Sequence, residues 1–331
     1  MSSADEPAAH LLRVTADDPE YRRLAAAEAA FWQQMHPMGL EATEHEFAAD
    51  GPVERYVNAR FTGDAATDWT ATIPRWGSFR RGLLLGASSP RRETRVLELN
   101  PGLHVTLLDL SPGAAERRAA ALAARFPGRV EARTADLNFV DLPAAHYDLV
   151  VSSSTIHHVT NLEYLASQID RTLTPDGHFF LEDYVGEPRF GFSESKRRLF
   201  EMLYDRDIAR QRGRRPGLIW HDASDLSPFC GVRSDEILDV FRTHLDEVQV
   251  RTAAALTLPM TRSRPADYDE LVRRLPRWKV AYEKLARRLG VRRQLLIHQE
   301  LLDELCLVGD AACEAGLLRP GIAFAVYRAR R

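Results

Sequence analysis

The chain has few cysteines, no long apolar run and no strong imbalance of charge. Three cysteines, Cys230, Cys306 and Cys313, occur in 331 residues. They are too few for a disulfide framework, and their spacing matches no metal-ligand pattern, so no metal is expected. Unpaired thiols fit a reducing cytoplasm. No apolar run reaches membrane-spanning length, and the N-terminus lacks the basic-then-apolar pattern of a secretory signal. No membrane association is therefore expected. A formal net charge of −3 gives no reason to expect a nucleic-acid partner. The local basic clusters (Arg210, Arg212, Arg214 and Arg215; Arg287, Arg288, Arg292 and Arg293) read as solvated faces. Gly-x-Gly-x-x-Gly and the Walker glycine-lysine pattern are both missing, so a pyrophosphate or triphosphate has no evident cradle.

What is present is ordinary for a globular protein: 45% hydrophobic and 27% charged residues, enough to bury one large core or a core with a subdomain. Tyr21, Leu24, Ala27, Phe31 and Met35 recur at helical spacing, predicting a helix from about Pro19 to Phe47 that Pro37-Met38-Gly39 interrupts. A short helix follows over Arg55 to Arg60, then the turn Phe61-Thr62-Gly63-Asp64. Trp69 to Trp76 is expected to pack on a sheet.

The stretch from Gly82 to Ser111 reads as a βαβ unit. An apolar run ends in Gly86-Ala87-Ser88-Ser89-Pro90, a helix follows, and a second apolar run ends in Asp109. Ser111-Pro112 suggests a hydroxyl-capped helix start. Arg129 to Thr134 and Tyr147 to Ser152 give strands three and four, the latter followed by Ser153-Ser154-Thr155-Ile156-His157-His158. A helix to Leu173 stops at Pro175-Asp176-Gly177. Strand five, His178 to Leu181, ends in Glu182-Asp183-Tyr184. A helix from Ser193 to about Gln211 leads to a Gly/Pro/Arg loop and Trp220-His221-Asp222. Ser234 is a plausible N-cap for a helix to Phe241. Glu247 to Thr252 reads as strand six and Ile322 to Tyr327 as strand seven, with helices over about Asp267 to Leu289 and Arg292 to Ala315 between them. The alternation predicts an α/β fold: a doubly wound, mostly parallel seven-stranded sheet with helical lid insertions. Leu285, Leu289, Leu295, Leu296, Leu301, Leu302 and Leu305 form an apolar stripe, with core packing as the default and homodimerisation as the sharper alternative.

Ligands of such sheets bind outside the carboxyl ends of the strands. There Asp109 is placed for a ribose diol and Asp136 for an exocyclic amine, while Gly86 allows close backbone approach. His157 and His158 follow strand four, and Asp183 and Tyr184 follow strand five. All four are candidates for contacting or deprotonating a reactant, with capping and packing as the plainer reading.

The order of these features, from the Gly86 turn through Asp109, Asp136, Tyr147-Asp148-Leu149-Val150 and Ile156-His157-His158 to Leu173-x-Pro175-x-Gly177, resembles the class I S-adenosylmethionine-dependent methyltransferases, most closely their small-molecule branch. The resemblance implies a Rossmann-like fold, S-adenosylmethionine as cofactor, and a small-molecule acceptor methylated on oxygen or nitrogen. It implies that Gly86, Ala87 and Ser88 line the methionine part, that Asp109 holds the ribose beside Leu110, and that Asp136 and Leu137 flank the adenine. Ser152 or Ser153 would lie beneath the sulfonium, and Arg60 and Gly63 would belong to a segment closing over the cofactor. It divides the chain into a helical cap (1–76), a cofactor-binding core (77–186), a helical and loop insertion (187–233) and a completion of the sheet (234–331) with a helical insertion at about 259–319.

The family turn usually reads Gly-x-Gly-x-Gly, whereas here two glycines are replaced by Ser88 and Pro90. Ser89 as N-cap with Pro90 in the first turn is the plain reading, with Arg91 and Arg92 exposed on the helix and contact with the aminocarboxylate as their alternative. A crowded aminocarboxylate site is the other. It would favour an enzyme that keeps the fold without methyl transfer (a lyase, cyclase or hydrolase), or a non-catalytic scaffold.

Overall fold

A computed structural model describes residues 9–35, 52–213, 215, 217–221, 226–266 and 299–330. In chain order the main elements are α1 (Pro19–Met35), α2 (Pro52–Thr62), β1 (Arg81–Leu85), α3 (Pro90–Leu99), β2 (His104–Asp109), α4 (Pro112–Arg125), β3 (Val130–Thr134), β4 (Tyr147–Ser153), α5 (Leu162–Thr172) and β5 (Leu173–Tyr184). They continue with α6 (Glu194–Arg212), β6 (Leu218–Trp220), α7 (Ile237–His244), β7 (Leu245–Ala253), β8 (Ser263–Pro265), α8 (Gln299–Glu314) and β9 (Ile322–Ala329).

Seven strands form one sheet in the order β3-β2-β1-β4-β5-β9-β7. All neighbours run parallel except β9, which is antiparallel to both β5 and β7. This is the doubly wound, mostly parallel α/β sheet expected from the alternation of runs and turns. The last strand enters between β5 and β7, so the chain's end closes the sheet from within.

The central strands β1, β4 and β5 carry buried apolar runs because both faces are covered, whereas the edge strands β3 and β7 are exposed or half-buried along most of their length and mixed in sequence. Leu84, Leu107, Val151 and Phe180 face a core shared with Trp69, Ile73 and Phe324. Leu83, Leu85, Leu108, Val150, Phe179 and Leu181 face the opposite core against α5 and α7. The two-residue alternation of a strand therefore sends successive leucines of β1 to different cores. Trp69 is 1% exposed and its ring centroid lies 5.3 Å from that of Phe324, as expected for a segment packed on the sheet.

Several boundaries differ from the sequence reading. Helix α1 is described to Met35, and the rest of the expected stretch to Phe47 lies outside the described residues. Strand β5 begins at Leu173, paired with Tyr147, so Pro175-Asp176-Gly177 lies within the strand. Ser234 caps no helix: it opens a 3-10 turn ahead of α7, and its hydroxyl donates to the Gly186 carbonyl at 3.0 Å. Ser111 occupies the N-cap position of α4 without a side-chain cap bond. The expected helix over Asp267 to Leu289 lies outside the described residues, as do Leu285, Leu289, Leu295 and Leu296. Leu301, Leu302 and Leu305, on α8, pack into a third core with Phe200, Tyr204 and Leu256. A small antiparallel ladder of β6 with β8, not anticipated from sequence, joins the two insertions. No helix among the described residues is long and apolar enough to cross a membrane.

Strand order reverses between β1 and β4, since β2 and β3 lie to one side of β1 and β5 to the other of β4. Such a switch point opens a crevice at the carboxyl ends of the two strands.

Candidate active site

A cavity of about 330 Å³ occupies that crevice. Its floor comes from the strand-end turns: Gly86, Ala87 and Ser88 after β1, Asp109 and Leu110 after β2, Asp136 and Leu137 after β3, and His157 and His158 after β4. Tyr184, at the end of β5, joins them. The roof was not legible as such in the sequence. It includes Glu28 and Trp32 from α1, Phe229 and Cys230 from the loop before α7, and Arg262.

The Gly86 turn is built for the sheet as much as for a ligand. Gly86 has φ +78°, a conformation that favours glycine, and a Cβ there would collide with the Thr155 side chain. Ser89 is the N-cap of α3, accepting from Arg92 N, and Pro90 fills the first turn. Ser88 Oγ donates to the Ser153 carbonyl and so is tied to the end of β4. Asp109 Oδ2 accepts from Ala87 N at 2.8 Å and Oδ1 from Ser111 N at 2.7 Å. Burial pushes this carboxyl up, and the two amides oppose the shift. Each oxygen keeps a lone pair for a further donor. Asp136 Oδ2 accepts from the Tyr21 hydroxyl at 2.6 Å, and its Oδ1 from Asn138 N at 2.9 Å.

The arginines expected on an exposed helix face are instead drawn into ion pairs at the cavity wall. Arg92 Nη1 lies 2.6 Å from Glu182 Oε2 and 2.8 Å from Ser153 Oγ, and Arg91 pairs with Glu54. Burial raises the Glu182 carboxyl, with the Arg92 charge acting against it.

Next to Glu182 in β5, Asp183 lies behind His157 and is fully buried. Its Oδ2 accepts from Thr155 N and Ile156 N at 3.0 and 2.6 Å, and its Oδ1 lies 2.5 Å from His157 Nδ1. Desolvation disfavours a charged His157, but the charge and hydrogen bond of Asp183 outweigh it and raise the ring well above its ordinary value. His158 behaves oppositely. Burial and then the neighbouring His157 push it down. Its Nδ1 lies 2.8 Å from Glu28 Oε1. Burial alone would raise Glu28, yet donors from His158, Phe229 N and Trp32 Nε1 hold it at about 2. The Tyr184 hydroxyl donates to the Glu187 carbonyl at 2.6 Å, leaving its ring, stacked on Phe190, to face the cavity.

Four expected site residues lie off the cavity surface besides Asp183. Ser152 Oγ is buried without a hydrogen-bond partner among the described residues. Ser153 Oγ donates to Glu182 Oε2 at 2.9 Å. Arg60, near the end of α2, is 3.5 Å from Asp310 Oδ2, and Gly63 follows that helix with φ +84°. The insertion's Trp220 packs on Phe192 and Phe200 and donates to Glu201 Oε1 at 2.7 Å. Asp222 lies outside the described residues.

Comparison with known proteins bears on this arrangement. Residues 85–179, which span the Gly86 turn, Asp109, Asp136 and the histidine pair, match the family described as "Methyltransferase domain". Over this segment the chain is similar to a methyltransferase domain. The match covers under a third of the chain. A search of curated proteins finds no match. Solved structures similar to the chain include an O-methyltransferase of a trans-AT polyketide synthase from Brevibacillus brevis with bound S-adenosylhomocysteine, 15% identical, TM-score 0.45, covering 87% of this chain and 75% of that one. Another is a geranyl diphosphate C-methyltransferase from Streptomyces coelicolor, 13% identical, TM-score 0.42, covering 78% and 76%. A third is a phosphoethanolamine N-methyltransferase from Haemonchus contortus with bound S-adenosylmethionine, 18% identical, TM-score 0.42. It covers 85% of this chain, while this chain spans 57% of its length.

Proposed function

We propose that the chain transfers the methyl group of S-adenosylmethionine to an oxygen or nitrogen of a small-molecule acceptor enclosed in the cavity. The observation that carries this reading is the continuity of one cavity from Asp109 and Asp136 to His157 and His158. Its volume lies within the range of small-molecule sites. The residues fit the cofactor: Asp109 retains acceptor capacity for a diol, Asp136 for an amine, and Leu110 and Leu137 supply apolar walls between them.

Bound S-adenosylmethionine supplies an electrophilic methyl group on a sulfonium. The chain's task is then alignment and exclusion of water. Helix α1 and the loop carrying Phe229 cover the crevice, which supports a small enclosed acceptor. An oxygen acceptor also needs its proton removed. Glu28 fixes His158 with a proton on Nδ1, which leaves Nε2 as the ring's lone-pair nitrogen. Asp183 acts only through His157, as a positioning residue.

The alternatives of a lyase, cyclase, hydrolase or scaffold drew on a crowded glycine turn. The engagement of Ser88 Oγ with Ser153 O favours methyl transfer over them, because that hydroxyl is directed to β4. Calorimetric titration with S-adenosylmethionine and S-adenosylhomocysteine tests the reading. Both should bind the wild type, and Asp109→Ala should abolish binding. Absence of binding at millimolar cofactor would sink the proposal.

A further inference from the structure

Two imidazoles and a thiol meet where the turn after β4 faces the loop before α7. One ligating atom each from His157, His158 and Cys230 lies within 4.8 Å of the other two. All three residues line the cavity. Nothing in their sequence spacing announced this, since the loop brings Cys230 back from far along the chain.

The nitrogens are already sorted. Asp183 Oδ1 takes Nδ1 of His157 at 2.5 Å, and Glu28 Oε1 takes Nδ1 of His158 at 2.8 Å. Both carboxylates are buried, at 0% and 2% exposure. Each ring is therefore left with Nε2 as its second nitrogen. Carboxylates behind imidazoles in this way fix ring orientation and tautomer in metal sites. The third ligand's loop is held as firmly. Gly231 N donates to the His157 carbonyl at 2.9 Å, and Arg189 Nη1 binds the carbonyls of Ser227, Pro228 and Cys230 at 2.9, 3.1 and 3.0 Å.

We propose that His157, His158 and Cys230 form a three-ligand site for a zinc-class divalent cation, with its fourth coordination position open to the cavity. Mixed imidazole and thiolate donors suit zinc, and three protein ligands with one open position are the arrangement of catalytic rather than structural zinc. The ion's two charges are opposed by one thiolate and by the two buried carboxylates behind the rings. On binding, Cys230 gives up its thiol proton and His157 the proton on Nε2, both to solvent. One metal–sulfur and two metal–nitrogen bonds form, and no redox change occurs. The open position would take water or an oxygen or nitrogen atom of the acceptor, and in that state His158 Nε2 is a ligand rather than a proton acceptor. Only this last assignment rests on the methyl-transfer reading; the ion site itself stands without it.

The test uses the full chain, stripped with a chelator and dialysed, then titrated with zinc or cobalt(II). Wild type should retain about one equivalent of zinc, and the cobalt form should show thiolate-to-metal charge-transfer absorption. Cys230→Ser should remove that absorption and His158→Gln should weaken zinc binding. Glu28→Gln should weaken it about 10- to 100-fold through the loss of the carboxylate behind the ring. The double variant Cys306→Ser/Cys313→Ser should bind as wild type does. Circular dichroism and melting temperature of each variant establish that it is folded, and Cys230→Ser is a near-isosteric change if a histidine variant unfolds. No retained zinc in folded wild type, equal affinity in folded Cys230→Ser, or loss of binding only in the double variant would each overturn the site. Titrating S-adenosylmethionine into the same samples separates failure of this proposal from failure of the methyltransferase reading.

Discussion

Glu28 Oε1, on α1, accepts a hydrogen bond from Nδ1 of His158 at 2.8 Å. The same oxygen accepts from Trp32 Nε1 at 2.7 Å and Ser227 Oγ at 2.8 Å, while Oε2 accepts from Phe229 N at 2.8 Å. One carboxylate thus binds the N-terminal helix, the histidine turn and the loop carrying Cys230. Glu28→Ala should lower the free energy of unfolding by about 3 kcal/mol, because several buried donors lose their acceptor together. Glu28→Gln should cost less. Urea denaturation of the two variants measures the difference, and equal, small effects would show that α1 is not held through this residue.

Gly86 predicts a second, independent loss of stability. Its φ of +78° and the collision of an added Cβ with Thr155 act together. Gly86→Ala should destabilise by about 2 to 4 kcal/mol. Adding Thr155→Gly should recover part of that loss, the remainder being backbone strain. A double-mutant cycle by chemical denaturation reads both terms, and strict additivity would remove Thr155 from the explanation.

The atypical turn gives a third expectation. Because Ser88 Oγ donates to Ser153 O and Pro90 sits in the first turn of α3, both residues serve local structure. Ser88→Gly should cost about 1 kcal/mol of stability while changing cofactor affinity less than about threefold. Pro90→Gly should behave likewise. A large gain in affinity on calorimetry would mean that the turn obstructs the cofactor.

Glu163 sets a dependence on acid. It accepts from Arg233 Nη1 and Nη2 at 2.8 and 2.7 Å and from Arg13 at 2.9 Å. Burial would raise this carboxyl, but the Arg233 hydrogen bonds, with help from the Arg13 charge, hold it at about 2 against an ordinary 4.5. A depressed folded-state value means that the stabilisation is fully present above pH 4.5 and is lost as pH falls towards 2. Glu163→Gln should therefore be less stable than wild type at neutral pH, with the gap closing across that interval. Denaturation at a series of pH values checks it, and a gap independent of pH would refute the assignment.

The architecture was readable because parallel strands covered on both faces must be apolar runs and their turns must carry small or capping residues. Leu83 to Leu85, the Gly86 turn and Asp109 announce themselves in this way. The acids and histidines at strand ends were readable for the same reason: a sheet places such positions on one rim. Arg92, expected on an exposed helix face, is drawn inward because its partner Glu182 comes from another element, whereas Arg91 pairs with Glu54 and keeps 39% of its side chain exposed.

Local sequence determined which residues become strands, where they turn, and therefore that Asp109, Asp136 and the histidine pair share a rim. Tertiary structure alone decided what faces them. In sequence Glu28 is a polar position on a helix and Cys230 one of three isolated thiols; packing of α1 and the loop before α7 sets them against His157 and His158. The physical reason is range. Periodicity and turn chemistry act between residues a few positions apart, whereas the state of a buried imidazole is set by whichever charges the completed fold brings within hydrogen-bonding distance.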